Sequence, residues 1–328
     1  MTCLSLRHMS DIIFIIVALR GKGRLTLESV PAKSILSGWG SGDHWFAANY
    51  NMNLYRGCCH GCIYCDSRSM CYGIDRFDTV RVKADALTLL ERELRGKRRR
   101  GIVGLGAMSD SYNPFEREEL LTRGALQLLA KYRFGVTLET KSDLAVRDID
   151  LFRELAKNNA AAVSFTVTTA DDDLCRRIEQ RVCPTSRRIA ALGELRKNGI
   201  LAGVLLMPIL PFINDSEENI LTVTQMAADA GAQWVFAWGG FGVTLRQNQR
   251  QWFYDRLDEQ FPGVKARYIA RFGESYECLS PDSERLFDLF GERCESLGLL
   301  WRMEDIVAKI RAAQPQPPMQ TSIFDGLQ

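Results

Sequence analysis

The stretch "YRGCCHGCIYCDSRSMC" occupies residues 55–71 and holds five cysteines and one histidine in seventeen positions. No other part of the chain is so dense in soft metal ligands. Cys58, Cys62 and Cys65 form a triple with three and then two residues between its members, and a second triple begins at Cys59. Three thiolates this close in sequence can surround one soft metal centre.

Two kinds of metal centre fit these triples. A structural zinc ion takes four protein ligands, so His60, Cys71 or a distant cysteine would have to supply the fourth. An iron–sulfur cluster can be held by three cysteines, which leaves one iron open to another ligand. A third alternative is a set of buried thiols without metal. The spacing favours an iron–sulfur cluster and leaves zinc as the alternative.

The whole chain has the composition of an ordinary globular protein. It has 328 residues, 46% hydrophobic and 25% charged, with a formal net charge of +2. That charge neither requires nor excludes a nucleic-acid partner. Half of the ten cysteines lie in residues 55–71, whereas secreted disulfide scaffolds are short and spread their cysteines along the chain. The pattern therefore predicts a metal site in a reducing compartment, and a cytoplasmic location.

The N-terminal region, residues 1–30, is expected to be an extension of the folded core. Its apolar run "IIFIIVAL", residues 12–19, is far shorter than the roughly 20 residues that span a bilayer. No small-residue cleavage site follows it, which disfavours a signal peptide. The run is either a strand or part of a non-native start, with the folded chain opening near Leu25.

Beyond residue 80, helical and strand patterns alternate. The predicted strands are "GIVGLGAM", "GVTLET", "AAVSFTVTT", "ILAGVLLMPIL" and "AQWVFAWGGFGV". Predicted helices between them include residues 185–197 and 216–231, the latter with Ser216 as N-cap and Gly231 as its end. Five or six successive β–α units predict an α/β fold with a parallel sheet, either open or curled into a full or partial barrel. In either case the active site lies at the carboxyl ends of the strands.

The expected domain organisation has three further parts after the N-terminal extension. Residues 31–245 form the core, and residues 246–312 form a mostly helical C-terminal extension. Residues 313–328 begin with "AQPQPP", whose prolines predict an extended tether followed by a tail peptide.

The cysteine loop and its flanks resemble a known family. The run "NMNLYRGCCHGCIYCDSR", together with "GAMSDSYNPFE" and "ETKSDL", is similar to the spore photoproduct lyase-like enzymes of the radical S-adenosylmethionine superfamily. The resemblance implies a partial (β/α)6 barrel of the TIM type. It also implies that Cys58, Cys62 and Cys65 hold a 4Fe–4S cluster while Cys59 is at a variable position. S-adenosylmethionine would bind the fourth iron, and its reductive cleavage would give a 5′-deoxyadenosyl radical.

Polar residues at strand ends are the candidate S-adenosylmethionine ligands. The resemblance makes Lys141 the partner of the methionyl carboxylate and places the residues near Ser109 and Thr166 in the pocket. The full set of candidate cofactor-binding residues is Tyr64, Ser109, Asp110, Lys141, Thr166 and Thr168. Alternative explanations are a helix N-cap for Ser109 and Asp110, a solvated lysine, and plain β-propensity for the threonines.

One position departs from the family pattern. In the lyase, a cysteine just before the Ser-Asp pair returns a hydrogen atom to the product, whereas this chain has Ala107 and Met108 there. Neither side chain offers a weak S–H bond, so repair of the spore photoproduct by that route is in doubt. Substitute donors would have to come from a set of cysteines that are more typical of buried, inert thiols: Cys71, Cys175, Cys183 and Cys278.

Two segments bear on nucleic-acid binding. Residues 92–100, "RELRGKRRR", carry six basic side chains and one acidic side chain, and either follow a phosphate backbone or form a solvated helix end. The tail "QTSIF" resembles the peptides with which bacterial repair proteins bind the sliding clamp, through Gln320, Ile323 and Phe324. The alternative is a tail that packs its phenylalanine on its own domain.

The sequence thus predicts a radical S-adenosylmethionine enzyme, lyase-like, acting on nucleic acid such as a damaged base. Its partners would be DNA, the clamp and an electron donor such as flavodoxin or ferredoxin. One alternative keeps the radical chemistry but acts on a peptide or small molecule, because fold and cofactor do not determine the substrate. The alternative from another class is a non-enzymatic zinc-binding module.

Overall fold

The structure, a computed structural model, describes residues 27–39, 41 and 44–315. Two predictions fall outside these residues. They are the apolar run at residues 12–19 and the tail peptide with Gln320, Ile323 and Phe324, and both stay predictions. No helix among the described residues is long and apolar enough to cross a membrane.

Twelve strands form the sheets of the described residues. They are β1 Ser29–Val30, β2 Leu36–Gly38, β3 Tyr50–Met52, β4 Tyr55–Arg56, β5 Arg81–Lys83, β6 Ile102–Leu105, β7 Gly135–Thr140, β8 Ala161–Thr166, β9 Leu201–Leu205, β10 Val235–Phe236, β11 Gly242–Thr244 and β12 Glu277–Leu279. The main sheet has seven strands in the order β10-β9-β8-β7-β6-β3-β2. Its six strands from β10 to β3 are parallel, and β2 joins the edge antiparallel. This confirms the partial (β/α)6 barrel.

Eleven α-helices accompany the strands in the described residues. They are α1 Ala86–Gly96, α2 Glu116–Glu119, α3 Leu121–Lys131, α4 Ile149–Asn158, α5 Asp172–Ile178, α6 Thr185–Lys197, α7 Glu217–Asp229, α8 Gln249–Gln260, α9 Val264–Phe272, α10 Ser283–Ser296 and α11 Met303–Ala312. Helix α7 begins as its sequence predicts, because the Ser216 hydroxyl accepts a hydrogen bond from Asn219 N at 3.2 Å. It ends before Gly231, whose φ of +78° suits glycine.

One predicted strand is divided in the structure. The segment "AQWVFAWGGFGV" contains β10 and, after a turn, β11. Gly240 in that turn has a φ of +97°, a backbone conformation that L side chains rarely adopt. Strand β11 then pairs antiparallel with β12 in a separate two-stranded sheet. The C-terminal segment expected to be helical therefore contributes β12 as well as α8 to α11.

The two faces of the main sheet have different surroundings. On the outer face, Val136, Leu138 and Val163 are buried in the main apolar core against the helices. On the inner face, a second cluster contains Phe46, Trp234 and Phe236 together with residues of α11. Side chains alternate between the faces along each strand, so neighbouring residues belong to different environments. Aromatic rings and α11 close the amino-terminal end of the barrel interior, and the carboxyl ends of the strands remain for a site.

Candidate active site

The cysteine loop begins directly after β4 and turns sharply. Gly57 has a φ of +81° and Gly61 a φ of +72°, both in the left-handed region that favours glycine. A Cβ on Gly57 would lie 2.5 Å from Thr79 O, so the close approach of the loop to that carbonyl also requires glycine. Cys58 N donates a hydrogen bond to Phe77 O at 2.8 Å. These contacts fix the first cysteine against the segment that leads into β5.

Three thiols of the loop lie close enough to influence one another. Burial raises the pKa of Cys62 well above its usual value, and the neighbouring Cys65 and Cys58 raise it further. Burial likewise raises the pKa of Cys65 to about 11, with Cys58 again contributing. Cys62 and Cys65 also pack in one apolar cluster with Tyr64, and the charge of Cys58 influences the pKa of both thiols.

Cys59 lies in a different environment. Its side chain packs against the main apolar core, whereas Cys62 and Cys65 pack in a separate cluster with Tyr64. Burial raises the pKa of Cys59 to about 12, and the charge of the adjacent Cys58 raises it further. This separation supports the register that begins at Cys58.

The spacing of the thiols bears on the kind of centre they fit. No group of three or more His, Cys, Asp or Glu side chains in the described part of the chain is arranged for a single metal ion. One tetrahedral zinc ion with Zn–S bonds of 2.3 Å draws its sulfurs to about 3.8 Å from one another. In a four-iron cluster each cysteine binds its own iron, so the sulfurs lie farther apart. Three thiols are all the protein ligands that such a cluster needs, whereas a structural zinc ion would need a fourth.

His60 links the loop to the end of β6. It is buried, and its Nδ1 lies 3.6 Å from Asp110 Oδ2. Burial alone would lower the pKa of His60, but Cys58 and Asp110 outweigh it and raise the pKa. Burial likewise opposes ionisation of Cys58, and the charge and hydrogen bond of His60 outweigh it and lower that pKa. His60 therefore orients the loop and stabilises the first thiolate.

The Asp110 carboxylate is occupied by the protein itself. It accepts hydrogen bonds from Thr140 Oγ1, Lys141 N and Tyr112 N, each at 2.8 Å. Ser109 Oγ is also turned inward, 3.5 Å from Tyr55 O. Asp110 thus connects His60 of the cysteine loop to the end of β7. Its carboxylate also accepts a hydrogen bond from the backbone N–H of Tyr112, two residues later, which resembles the helix N-cap given as the alternative explanation for Asp110. Both residues position the candidate pocket.

Lys141 lies at the centre of the predicted pocket, directly after β7. Its Nζ is 3.4 Å from Thr166 Oγ1 and 5.8 Å from the centre of the Tyr64 ring. Burial would lower the pKa of Lys141, but the facing Cys62 and Glu179 outweigh it and raise the pKa. A cation beside the second cysteine can attract an anionic ligand group there.

Thr168 lies two residues beyond the end of β8. Its hydroxyl oxygen is buried and has no hydrogen-bond partner among the described residues. Its backbone oxygen, by contrast, accepts from Asn214 Nδ2 at 2.7 Å and Asn219 Nδ2 at 3.0 Å. Since buried polar groups are nearly always paired, the free hydroxyl is available to a ligand.

A buried charged network behind Tyr64 was not predicted from the sequence. The Tyr64 hydroxyl donates to Glu179, and Arg188 Nη1 lies 2.6 Å from the other carboxylate oxygen. Arg188 also donates to Thr166 O at 2.8 Å and Cys183 O at 2.8 Å. No sequence pattern indicates that Glu179 and Arg188, nine residues apart, form an ion pair, because their contact depends on how α5 and α6 pack against each other.

The candidate hydrogen donors occupy varied positions. Ala107 is exposed and Met108 half-buried, at the predicted end of β6. Cys175 and Cys278 are buried, and Cys71 is exposed with its Sγ 2.9 Å from Ser69 Oγ. The structure brings one of the four substitutes, Cys183, to the pocket, where its thiol donates to Lys141 O at 3.2 Å. All nine cysteines in the described residues are free of disulfides.

The basic run at residues 92–100 lies at the amino-terminal ends of the strands, opposite the carboxyl ends that carry the pocket residues. Arg100 precedes the start of β6, whereas the pocket residues follow the strand ends. Its guanidinium donates to Leu94 O at 3.1 Å and Lys97 O at 2.6 Å. This position favours the solvated helix end over a role beside the chemistry.

Comparison with known proteins bears on these residues. The sequence model of the Radical SAM superfamily matches residues 52–224. An uncharacterized protein of Mycobacterium tuberculosis (strain H37Rv) is 33% identical over 226 residues, covering 67% of this chain and 66% of the relative, slightly less than two thirds. An uncharacterized protein of Methanocaldococcus jannaschii is 34% identical over 172 residues, covering 52% of this chain and 64% of the relative.

Solved structures with a similar fold include spore photoproduct lyase complexed with dinucleoside spore photoproduct. Its TM-score is 0.62 at 15% identity, with 86% of each chain covered. A mutant of the same lyase with bound S-adenosylmethionine and dinucleoside gives a TM-score of 0.60 at 15% identity, covering 83% of this chain and 80% of the lyase. At this level of identity the likeness concerns the fold.

Proposed function

Because this chain belongs to the radical S-adenosylmethionine superfamily, whose enzymes work with a 4Fe–4S cluster and S-adenosylmethionine, we propose that it applies that radical chemistry to a nucleic-acid substrate. The observation that carries the proposal is the packing of Cys62 and Cys65 around Tyr64, whose ring centre lies 5.8 Å from Lys141 Nζ at the carboxyl end of β7. The zinc-binding alternative does not account for the family match.

In this proposal Cys58, Cys62 and Cys65 hold the cluster. Three thiols would leave one iron for S-adenosylmethionine, and the bound pair would supply radical chemistry that removes a hydrogen atom from the substrate. Free thiols with the raised pKa values of Cys62 and Cys65 stay protonated at neutral pH. Ligation therefore releases protons, and binding of iron depends on pH.

The side chains around the thiols would position S-adenosylmethionine. Lys141 would pair with its carboxylate, since an ammonium group forms strong charge-assisted hydrogen bonds with a carboxylate. The hydroxyls of Thr166 and Thr168 lie on the same side and would hold polar groups of the ligand. Tyr64 would form a wall, held in place by its bond to Glu179. Ser109 and Asp110 would shape this pocket from the end of β6.

The nucleic-acid substrate is the finer part of the proposal. It is supported by the likeness of the fold to a lyase solved with a dinucleoside photoproduct and by the sequence resemblance of the cysteine loop. In the lyase family a cysteine that donates hydrogen to the product is expected at this position, but Ala107 and Met108 have no S–H bond. We therefore propose a related reaction on a base or lesion in which the hydrogen returned to the product comes from elsewhere, with the Cys183 thiol near Lys141 as a donor to test.

The proposed partners are DNA, a one-electron donor such as flavodoxin or ferredoxin, and the sliding clamp. The electron donor is required because the cluster must be reduced before the cleavage, and it fits a cytoplasmic location. The clamp contact would use Gln320, Ile323 and Phe324 at the end of the chain. Its test is a pull-down with the clamp, in which Ile323→Ala and Phe324→Ala together abolish retention; retention by the double variant would contradict it.

The decisive experiment is anaerobic reconstitution with iron and sulfide, followed by reduction in the presence of S-adenosylmethionine. Formation of 5′-deoxyadenosine is measured by mass, first without substrate and then with irradiated and undamaged DNA. We expect four irons per chain, 5′-deoxyadenosine, and faster formation with DNA. Uptake of zinc instead of iron would overturn the radical chemistry. Acceleration by peptides but not by DNA would overturn the substrate.

A further inference from the structure

Glu139 is a carboxyl group inside the barrel that the proposed cofactor site does not use. It lies on the inner face of β7, two residues before Lys141 and therefore about 7 Å deeper along the strand. The Trp45 indole N–H donates to its Oε1, and this is the only hydrogen bond of that carboxyl recorded in the described residues. Glu139 is only partly buried, and no hydrogen bond to its second oxygen, Oε2, is present among the described residues.

The strand register indicates which residues of β3 and β6 come closest to Glu139. Met52 is paired with Leu105 and Leu105 with Leu138. The residues that follow these three are Asn53 and Gly106, just beyond the ends of β3 and β6, and Glu139 within β7. A Cβ on Gly106 would lie 2.0 Å from Glu139 O. Only glycine fits there, because the backbone at Gly106 approaches the β7 backbone at Glu139 too closely for any side chain.

Two amide oxygens on the same face lack partners. Asn51 and Asn53 alternate with Met52 and Leu54, which point into the outer core, so the two asparagines face the interior. Asn51 Oδ1 and Asn53 Oδ1 are buried and have no hydrogen-bond partner among the described residues. Leaving such a group unpaired costs about 1–3 kcal/mol. Unpaired amide oxygens on the same face as the Glu139 carboxyl group are typical of a site where a ligand supplies the missing hydrogen bonds.

Aromatic rings flank this row. The Trp45 and Trp238 rings lie 5.9 Å apart at 46°, and Phe236 lies 5.7 Å from Trp45. Trp238 is 61% exposed, an unusual state for so large an apolar side chain. An exposed tryptophan at the end of a barrel strand is a surface on which a flat ring can stack.

We propose that Glu139, together with Asn53 and Asn51, is a specificity-determining acceptor row that selects an amino-bearing nucleobase over thymine. This inference deepens the proposed function and rests on it. A carboxylate accepts hydrogen bonds and donates none when ionised, and Glu is suited to the exocyclic amino group of cytosine. Adenine and guanine also present amino groups, whereas thymine presents carbonyl oxygens beside its single N–H.

The pKa of Glu139 is compatible with a role as a hydrogen-bond acceptor at alkaline pH. Burial raises its pKa to about 7, while the Trp45 hydrogen bond and Lys141 both act to lower it. Above that pH the carboxylate is ionised and acts as an acceptor. The indole fixes one oxygen, so the other is held in a defined direction for the substrate.

The test is equilibrium binding of single nucleosides to the reconstituted enzyme at pH 8 with S-adenosylmethionine present. The probes are deoxycytidine, deoxyadenosine, deoxyguanosine and thymidine, followed by quenching of tryptophan fluorescence and by calorimetry. We expect the amino-bearing nucleosides to bind about 10-fold more tightly than thymidine, as one good base contact provides. Equal affinities, or no binding of any nucleoside, would overturn the inference.

Variants distinguish selection from a structural role. Glu139→Gln keeps the shape but replaces one acceptor by an NH2 donor, so the preference against thymidine should fall to within about 2-fold or reverse. Trp238→Ala should weaken all four nucleosides without changing their order. Glu154→Gln, an exposed residue of α4 paired with Lys157 at 3.1 Å, is the control and should match wild type. An unchanged preference in Glu139→Gln would refute the acceptor row.

The outcome is separable from that of the proposed function. Cleavage of S-adenosylmethionine by the wild-type enzyme is measured in the same preparations. Cleavage without nucleoside selection would sink this inference and leave the radical chemistry standing. Selection without cleavage would support the acceptor row and sink the proposed function.

Discussion

The two faces of strand β7 differ in what they contribute. Val136 and Leu138 point outward and are completely buried in the main core. Glu139 and Lys141 point inward and are partly buried. The charge of Lys141 acts to lower the pKa of the Glu139 carboxyl, against the larger effect of burial. Because neighbouring side chains in a strand point to opposite faces, a single hexapeptide supplies both packing for the fold and polar groups for chemistry.

The cysteine loop shows the same division over a shorter distance. Cys59 packs against the main core, whereas Cys62 and Cys65 pack in the cluster around Tyr64. A change on the outer side is expected to affect stability, and a change on the inner side is expected to affect cofactor or substrate. The following predictions test that separation, from the largest effect to the smallest.

The strongest test compares Cys62→Ala with Cys59→Ala. Loss of Cys62 removes one of three proposed ligands, so we expect complete loss of the cluster, measured as iron content and visible absorption after anaerobic reconstitution. Cys59→Ala should retain the cluster and lose only some packing. Bleaching of the Cys59 variant with retention in the Cys62 variant would show that the register is wrong.

Leu138→Ala should affect folding and leave cofactor binding in place. The side chain is fully buried, and truncating a buried leucine costs about 2–5 kcal/mol through lost burial and a residual cavity. Denaturant unfolding measures the free energy, and 5′-deoxyadenosine formed per bound cluster measures the site. A large loss of activity per cluster with an unchanged free energy of unfolding would contradict the idea that the outer face of β7 serves stability and the inner face serves the site.

Lys141→Ala should show the opposite pattern. A charge-assisted hydrogen bond to the ligand carboxylate contributes about 1.5–3 kcal/mol, so S-adenosylmethionine should bind about 10- to 100-fold more weakly. Calorimetric titration of the reconstituted enzyme measures this, with Lys157→Ala on the exposed side of α4 as the matched control. Unchanged affinity would remove Lys141 from the proposed pocket.

The smallest expected effect is a pH dependence of stability from Glu139. Its folded-state pKa is raised to about 7 from the ordinary 4.5, so folding favours the protonated form. The stabilisation is fully present below pH 4.5 and is lost as pH rises towards and through 7. The Tm of wild type relative to Glu139→Gln should therefore fall between pH 5 and pH 8. A difference that stays constant over this range would show that the carboxyl is not desolvated.

Much of the fold was predictable because its signals are local. The strand "GVTLET" is β7 in full, and the helix predicted at residues 185–197 has the bounds of α6. Lys141 was identified as a candidate because it directly follows a strand, and parallel strands bring their carboxyl ends together. The role of Asp110 was less predictable, since its carboxylate is bound by Thr140 and Lys141 from another strand.

The sequence by itself determined the order of strands and helices, the family, and the spacing of the cysteines, because these depend on residues a few positions apart. Only the tertiary structure decided which side chains meet inside the barrel. Trp45 reaches Glu139 across 94 positions of the chain, and Tyr64 reaches Glu179 across 115. Such contacts depend on strand register and on the curl of the sheet, and a one-residue shift in register would turn each of these side chains to the other face.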